Sequence, residues 1–218
     1  MIKNNVQNIL NEIKKGNNLG EQVTLVGATK FVSVDNINEA ILAGLKDIGE
    51  NKAQEFRDKF DSVIKPVNYH FFGRLQKNKI KYLIGKVYLI HSVDSIDLLD
   101  EINTQSSKAG VITNVLLEVN LGEEQKGGFP LDDSAKILES IENFESVKVK
   151  GLMAMLPLSN EETLLKNLAK QVRKTYDENK EKYGFTYLSM GMSNDYKLAI
   201  ENGSNMIRVG SKIFGARY

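Results

Sequence analysis

Cysteine is absent from all 218 residues, which removes disulfides, thiol nucleophiles and thiolate metal sites from consideration. Histidine occurs only as His70 and His91, too few for a zinc site without a supporting carboxylate pattern, and none is found. No run approaches the roughly 18 apolar residues of a membrane helix, and Met1 to Val6 lacks the unbroken apolar core of a signal peptide. Charge of either sign is not in excess: 29 basic residues face 28 acidic ones, so no global field draws the chain to nucleic acid or an anionic membrane. These absences predict a cytoplasmic, metal-free protein with neither nucleic acid nor membrane as its partner. The length suits one sizeable core, and one domain over residues 1–218 is expected.

What the sequence does contain is a regular alternation of short apolar runs and helical spacings. Candidate strands lie at 23–30, 47–50, 68–73, 87–91, 115–119, 150–155, 187–190 and 206–209. Between them, helical patterns run over 2–15, from Ser33 or Asp35 to Gly44, from Asn51 to about 60, after Arg74, over 94–109, over 130–144, over 160–183 and up to about 202. Residues 121–129 form a polar, glycine-rich loop. Eight alternations without consecutive strands predict a (β/α)8 TIM barrel. A doubly wound open sheet is the other arrangement, but the Gly-x-Gly-x-x-Gly turn it would carry after the first strand is missing.

In a barrel the working residues stand at the C-terminal strand ends. There the sequence places Lys30, Glu50 with Asn51, His70 with Gly73 and Arg74, His91 with Ser92, Glu118 with Asn120, Met153 with Met155, Met190 with Ser193, and Arg208 with Gly210 and Ser211. A strand buried on both faces cannot carry an ammonium in its middle, so Lys30 marks the end of its strand. Held between apolar neighbours there, its amine can attack an aldehyde, although a solvated terminal lysine would look the same in sequence. After strands seven and eight, 191–194 and 210–211 supply small residues, backbone N–H groups and hydroxyls of the kind barrels use for phosphate. Ser193 is equally placed to cap its helix and Gly210 to let the chain turn. An imine-forming lysine facing a phosphate cradle suggests pyridoxal phosphate. Arg208 could then face the ring nitrogen, leaving it unprotonated and the ring a weak electron sink; paired with Glu118 or Glu50 it would instead be an ordinary buried arginine.

Five stretches make the pattern specific: Ala28-Thr29-Lys30, Ile48-Gly49-Glu50-Asn51, the run from His70 to Lys79, Ser189-Met190-Gly191-Met192-Ser193-Asn194-Asp195, and the run from Ile207 to Gly215. In this order they closely resemble the pyridoxal phosphate homeostasis proteins, the YggS/PROSC family, with an alanine-racemase-like barrel. The resemblance implies that Lys30 carries pyridoxal 5'-phosphate covalently and that Asn51 and His70 wall its pocket, with Met190 beside them. It also implies that Ser193, Gly210 and Ser211 bind the phosphate and that Arg208 faces the pyridine nitrogen. His70 could instead be a satisfied core histidine beside Phe71 and Phe72, and the Met190 sulfur could simply pack. Phe31 departs from the polar or basic residue expected after the lysine, and Ser211 stands where threonine is about as common.

Alanine racemases need a second acid/base group from a further C-terminal domain, and a chain ending at Tyr218 is expected to have no room for one. The resulting expectation is a non-catalytic protein that binds and buffers the cofactor, and controls vitamin B6 balance. Its partners would be the cofactor and the apoenzymes that use it, and its state a monomer or weak homodimer. The alternatives are a weak cofactor-dependent racemase or decarboxylase, and a cofactor-free Schiff-base aldolase.

Overall fold

The computed structural model describes residues 1–123 and 127–215. Its strands are β1 (Thr24–Ala28), β2 (Asp47–Glu50), β3 (Asn68–Phe71), β4 (Leu89–Val93), β5 (Thr113–Asn120), β6 (Phe129–Pro130), β7 (Val147–Ala154), β8 (Tyr187–Met190) and β9 (Met206–Val209). All pair in parallel, in the order β4-β3-β2-β1-β9-β8-β7-β5, and β4 pairs back onto β5 to close the ring, with the two-residue β6 attached beside β5. The expected (β/α)8 barrel is therefore the observed one, built from eight strands.

The helices are α1 (Ile2–Ile13), α2 (Val34–Leu42), α3 (Ala53–Lys59), α4 (Ile96–Lys108), α5 (Ser134–Ser140), α6 (Glu162–Tyr183), α7 (Tyr196–Glu201) and α8 (Ser211–Phe214). Local chemistry sets several of their ends. Ser33 and Ser95 cap α2 and α4 by accepting the N–H of Asn36 and Leu98, and Gly184 ends α6 in the left-handed conformation. The helix expected after Arg74 is instead a short 3-10 stretch, Lys77–Tyr82. Four of its six positions, Lys77, Asn78, Lys79 and Lys81, are polar or charged and leave little apolar face to hold a longer helix down. Of the loop expected over 121–129, Glu124, Gln125 and Lys126 lie outside the described residues.

Side chains alternate between two cores, as the two-residue period of a strand requires. Ile48, Phe71, Ile90, Leu117, Leu152, Leu188 and Ile207 point outward under the helices. Val26, Leu89, Leu116, Met153 and Met206 fill the barrel itself, with Phe72, Met155 and Tyr187 packed against them. Gly49 faces this interior too, and a Cβ there would meet the Phe72 ring at 2.0 Å. The small residue is what lets that ring cross the barrel. Among the described residues no helix is long and apolar enough to cross a membrane, and no cluster of three or more histidine and carboxylate side chains could hold a metal ion.

Candidate functional site

The alternation that builds the two cores also sorts the ends of the strands. Val26 on β1 stands in register with Arg208 on β9, and both face inward, so continuing the parity sends Ala28 and Lys30 toward the barrel mouth and Thr29 away from it. Ala28, Lys30, Ser193, Asp195, Arg208, Gly210 and Ser211 line one cavity of about 340 Å³, together with Leu156, Pro157, Leu158 and Met192. A cleft of this size is within the usual range for a small ligand. The sequence placed Lys30, Ser193, Arg208, Gly210 and Ser211 at strand ends, and the structure brings these five together. It gave no site role to Asp195, although that residue ends one of the five stretches, and it missed the Leu156 to Leu158 segment, which follows its strand without any motif to mark it.

Three other expected residues lie elsewhere. Met190 is fully buried and packs outward under the helices, because its neighbour Ser189 takes the inward position. Asn51 is half-buried and lines a separate pocket of about 140 Å³ with Lys52, Arg74 and Lys79. His70 is fully buried inside the barrel and does not line the main cavity. Its surroundings favour the satisfied core histidine: its Nδ1 lies 2.8 Å from His91 Nε2 and its Nε2 3.1 Å from Asp47 Oδ1.

His70 is one link in a polar chain that crosses the barrel. Arg208 donates from Nη1 to the Ser189 carbonyl at 2.9 Å and to Ser189 Oγ at 2.7 Å, and from Nη2 to the Ala154 carbonyl at 3.2 Å. Ser189 Oγ lies 3.0 Å from His91 Nδ1. Burial lowers the proton affinity of both imidazoles, and His91 is lowered further by His70 and Arg208, so each carries a single proton. A guanidinium can only donate and a carboxylate can only accept. Each hydrogen then has one place: Ser189 donates to His91 Nδ1, His91 Nε2–H to His70 Nδ1, and His70 Nε2–H to Asp47. The opposite tautomers would set the His70 lone pair against the Asp47 oxygen. The chain thus runs one way, from the arginine at the mouth to a carboxylate at the opposite end of the barrel.

Arg208 is only 5 % exposed. Burial brings its pKa down to about 10, against the opposing pull of Glu118 and Asp195, so it remains a cation at neutral pH. It does not pair with Glu50. That carboxylate points outward from β2 to Lys59 on α3, at 2.9 Å, and burial raises its proton affinity while Lys59 and Thr29 oppose the rise.

On the opposite rim, Ser193 does not cap α7. Its Oγ instead accepts the Gly210 N–H at 3.1 Å, tying the loop after β8 to the loop after β9. Gly210 has φ −114°, so its backbone does not call for glycine. Ser211 opens α8, where first-turn N–H groups lack intrahelical acceptors. The donor set is therefore two hydroxyls and main-chain N–H groups near a buried cation, opposite an amine. This set suits a ligand with an anionic tail at one end and an electrophilic carbon at the other.

Comparison with known proteins agrees with this geometry. The model of the alanine racemase N-terminal domain matches residues 2–218. A pyridoxal phosphate homeostasis protein of Aquifex aeolicus is 41 % identical over 197 residues, covering 88 % of this chain and 86 % of that one. PipY of Synechococcus elongatus, solved with PLP bound, superposes with a TM-score of 0.89 at 28 % identity, over 99 % of this chain and all of that one. An alanine racemase of Clostridium difficile shares the fold, with a TM-score of 0.78 at 15 % identity, and this chain covers 56 % of its length. The chain belongs to the alanine racemase N-terminal domain family and, within it, to the pyridoxal phosphate homeostasis proteins.

Proposed function

We propose that the protein binds pyridoxal 5'-phosphate covalently at Lys30 and holds it without steady turnover, buffering its free level and releasing it to apoenzymes that need it. The observation that carries this reading is the convergence of Lys30, Arg208 and the Ser193, Gly210 and Ser211 rim on one cavity. The names of the curated relatives and the PLP bound to PipY support it.

Attachment would join the Lys30 nitrogen to the aldehyde carbon as a C=N bond, the carbonyl oxygen leaving as water with two hydrogens from the amine. Attachment is reversed by adding that water back, so the same lysine serves capture and release. Ser193, Ser211 and the backbone N–H groups of the rim would bind the phosphate. Arg208 is the cation available to the ring nitrogen. A group that only donates hydrogen bonds leaves that nitrogen unprotonated and the ring a poor sink for electrons. Such a ring favours holding over proton abstraction from an amino acid.

The test is the absorption spectrum of purified protein mixed with pyridoxal 5'-phosphate, followed by borohydride and mass analysis. A visible band that borohydride bleaches, with the added mass on Lys30 and neither effect in Lys30→Ala, is the expected result. Absence of an adduct at Lys30 would overturn the reading. Steady conversion of L-amino acids at ordinary enzyme rates would replace holding by catalysis.

A further inference from the structure

We propose that Lys59, acting with Glu55 and Glu50, is a positioning residue for Lys30: it fixes the two peptide groups on either side of that lysine and so aims its amine across the cavity. The inference rests on the reading of Lys30 as the covalent attachment point, and deepens it.

An ammonium has three N–H bonds to donate, and Lys59 uses one on each of three acceptors. Its Nζ lies 3.0 Å from the Thr29 carbonyl, 2.9 Å from Glu50 Oε1 and 3.0 Å from Glu55 Oε2. The Thr29 carbonyl belongs to the peptide that enters Lys30. The peptide that leaves Lys30 ends in the Phe31 N–H, which donates to the same Glu55 Oε2 at 2.9 Å. Thr29 is held a second time, its Oγ1 lying 2.7 Å from Glu50 Oε1 and its N–H donating to the Gly49 carbonyl at 2.9 Å. Both hinges of the Lys30 backbone are therefore tied, through one ammonium, to the end of β2 and to α3.

The setting gives these bonds something to hold. Phe31 has φ 59°, a left-handed conformation that costs a bulky residue free energy and persists only where its surroundings impose it. Phe31 is 68 % exposed, so burial does little to impose it; the turn closed by the Val32 N–H on the Thr29 carbonyl at 3.0 Å and the Phe31 N–H bond to Glu55 hold it, and both run through the groups that Lys59 ties down. The Lys59 and Glu50 side chains are 15 % and 1 % exposed, dry enough for charge-assisted bonds to retain their strength. Among the residues lining the cavity, none belongs to this clamp except through Lys30 itself. Removing Lys59 should loosen the aim of the amine and leave the phosphate rim intact.

The experiment compares two probes on the full chain: pyridoxal 5'-phosphate, which can form the C=N bond, and pyridoxamine 5'-phosphate, which has the same ring and phosphate but no aldehyde. In Lys59→Met, affinity for the aldehyde should fall roughly 10-fold or more, the scale of a lost charge-assisted hydrogen bond, while affinity for the amine changes less than about twofold. Lys59→Arg should recover part of the loss. Should Lys59→Met fail to fold, Glu55→Ala removes the acceptor of the Phe31 N–H at a more exposed position and should show the same split. In the cofactor-free protein, hydrogen exchange at the Phe31 amide should quicken in either variant. Equal losses for both probes would reduce the clamp to general structure, and unchanged aldehyde binding would refute it. If the unsubstituted protein forms no adduct that Lys30→Ala abolishes, the attachment reading itself fails; if it does and Lys59→Met matches it, only the clamp fails.

Discussion

The Gly210 N–H donates to Ser193 Oγ across 3.1 Å, so the loops after β8 and β9 meet as one rim. Removing the hydroxyl in Ser193→Ala deletes both that link and one donor for an anionic tail. Affinity for pyridoxal 5'-phosphate is expected to fall about tenfold. Binding of pyridoxal, which lacks the phosphate, should hardly change. Equilibrium titration with the two compounds checks this, and parallel losses would contradict a phosphate role for the rim.

Ser189→Ala opens the chain across the barrel in its middle. Arg208 Nη1 and His91 Nδ1 each lose a partner at a fully buried place. Stranding such groups costs about 1–3 kcal/mol, which lowers Tm by about 2–4 °C per kcal/mol for a chain of this size. Thermal unfolding of the cofactor-free protein measures it.

Acid should destabilise the fold through the same chain. His70 and His91 have folded proton affinities below the ordinary value of 6.5, so as pH falls through about 6.5 the unfolded chain takes up protons the folded one refuses. Their contribution is complete above that value and declines below it, by up to about 1.4 kcal/mol per pH unit for each imidazole. Denaturation curves between pH 7.5 and pH 5.5 should show the decline, and His70→Gln with His91→Gln should flatten it. A profile equally steep without the histidines would contradict the assignment.

Gly73→Ala tests why glycine closes β3. An added Cβ would stand 1.9 Å from the Asn51 carbonyl oxygen, an atom of the main chain that has no rotamer to move away. Ser92 Oγ also donates to the Gly73 carbonyl at 2.6 Å, fixing the segment from its other side. A loss of roughly 2 kcal/mol or more is expected in chemical denaturation, within the range for overpacked sites.

Much of the barrel could be read from the chain because its strands are short apolar runs with polar or glycine boundaries. The runs at Asp47, Tyr187 and Met206 begin and end where the strands do. The start of β7 was less legible, since the exposed Lys148 and half-buried Lys150 interrupt its apolar pattern. Lys30, Arg208 and the rim were found because strand ends converge in any barrel. Met190 shows what a list of strand ends omits: counting alternate residues back from Arg208 on β9 and Val26 on β1 describes which way a side chain leaves its strand, and a motif does not. The chain through His70 and the clamp at Lys59 were not legible for a different reason. Lys59 reaches Thr29 across 30 residues of sequence, and on its own helix it looks like any surface lysine with a glutamate four residues before it.

The mouth beside Lys30 carries Leu158, which is 98 % exposed, and Met192, which is 39 % exposed. A molecule bound there as proposed would sit behind side chains that already stand in solvent, with water at its back. Its residence time would then be set by hydrolysis of a single bond, a chemical clock that small amines and water can advance, more than by the opening of a gate.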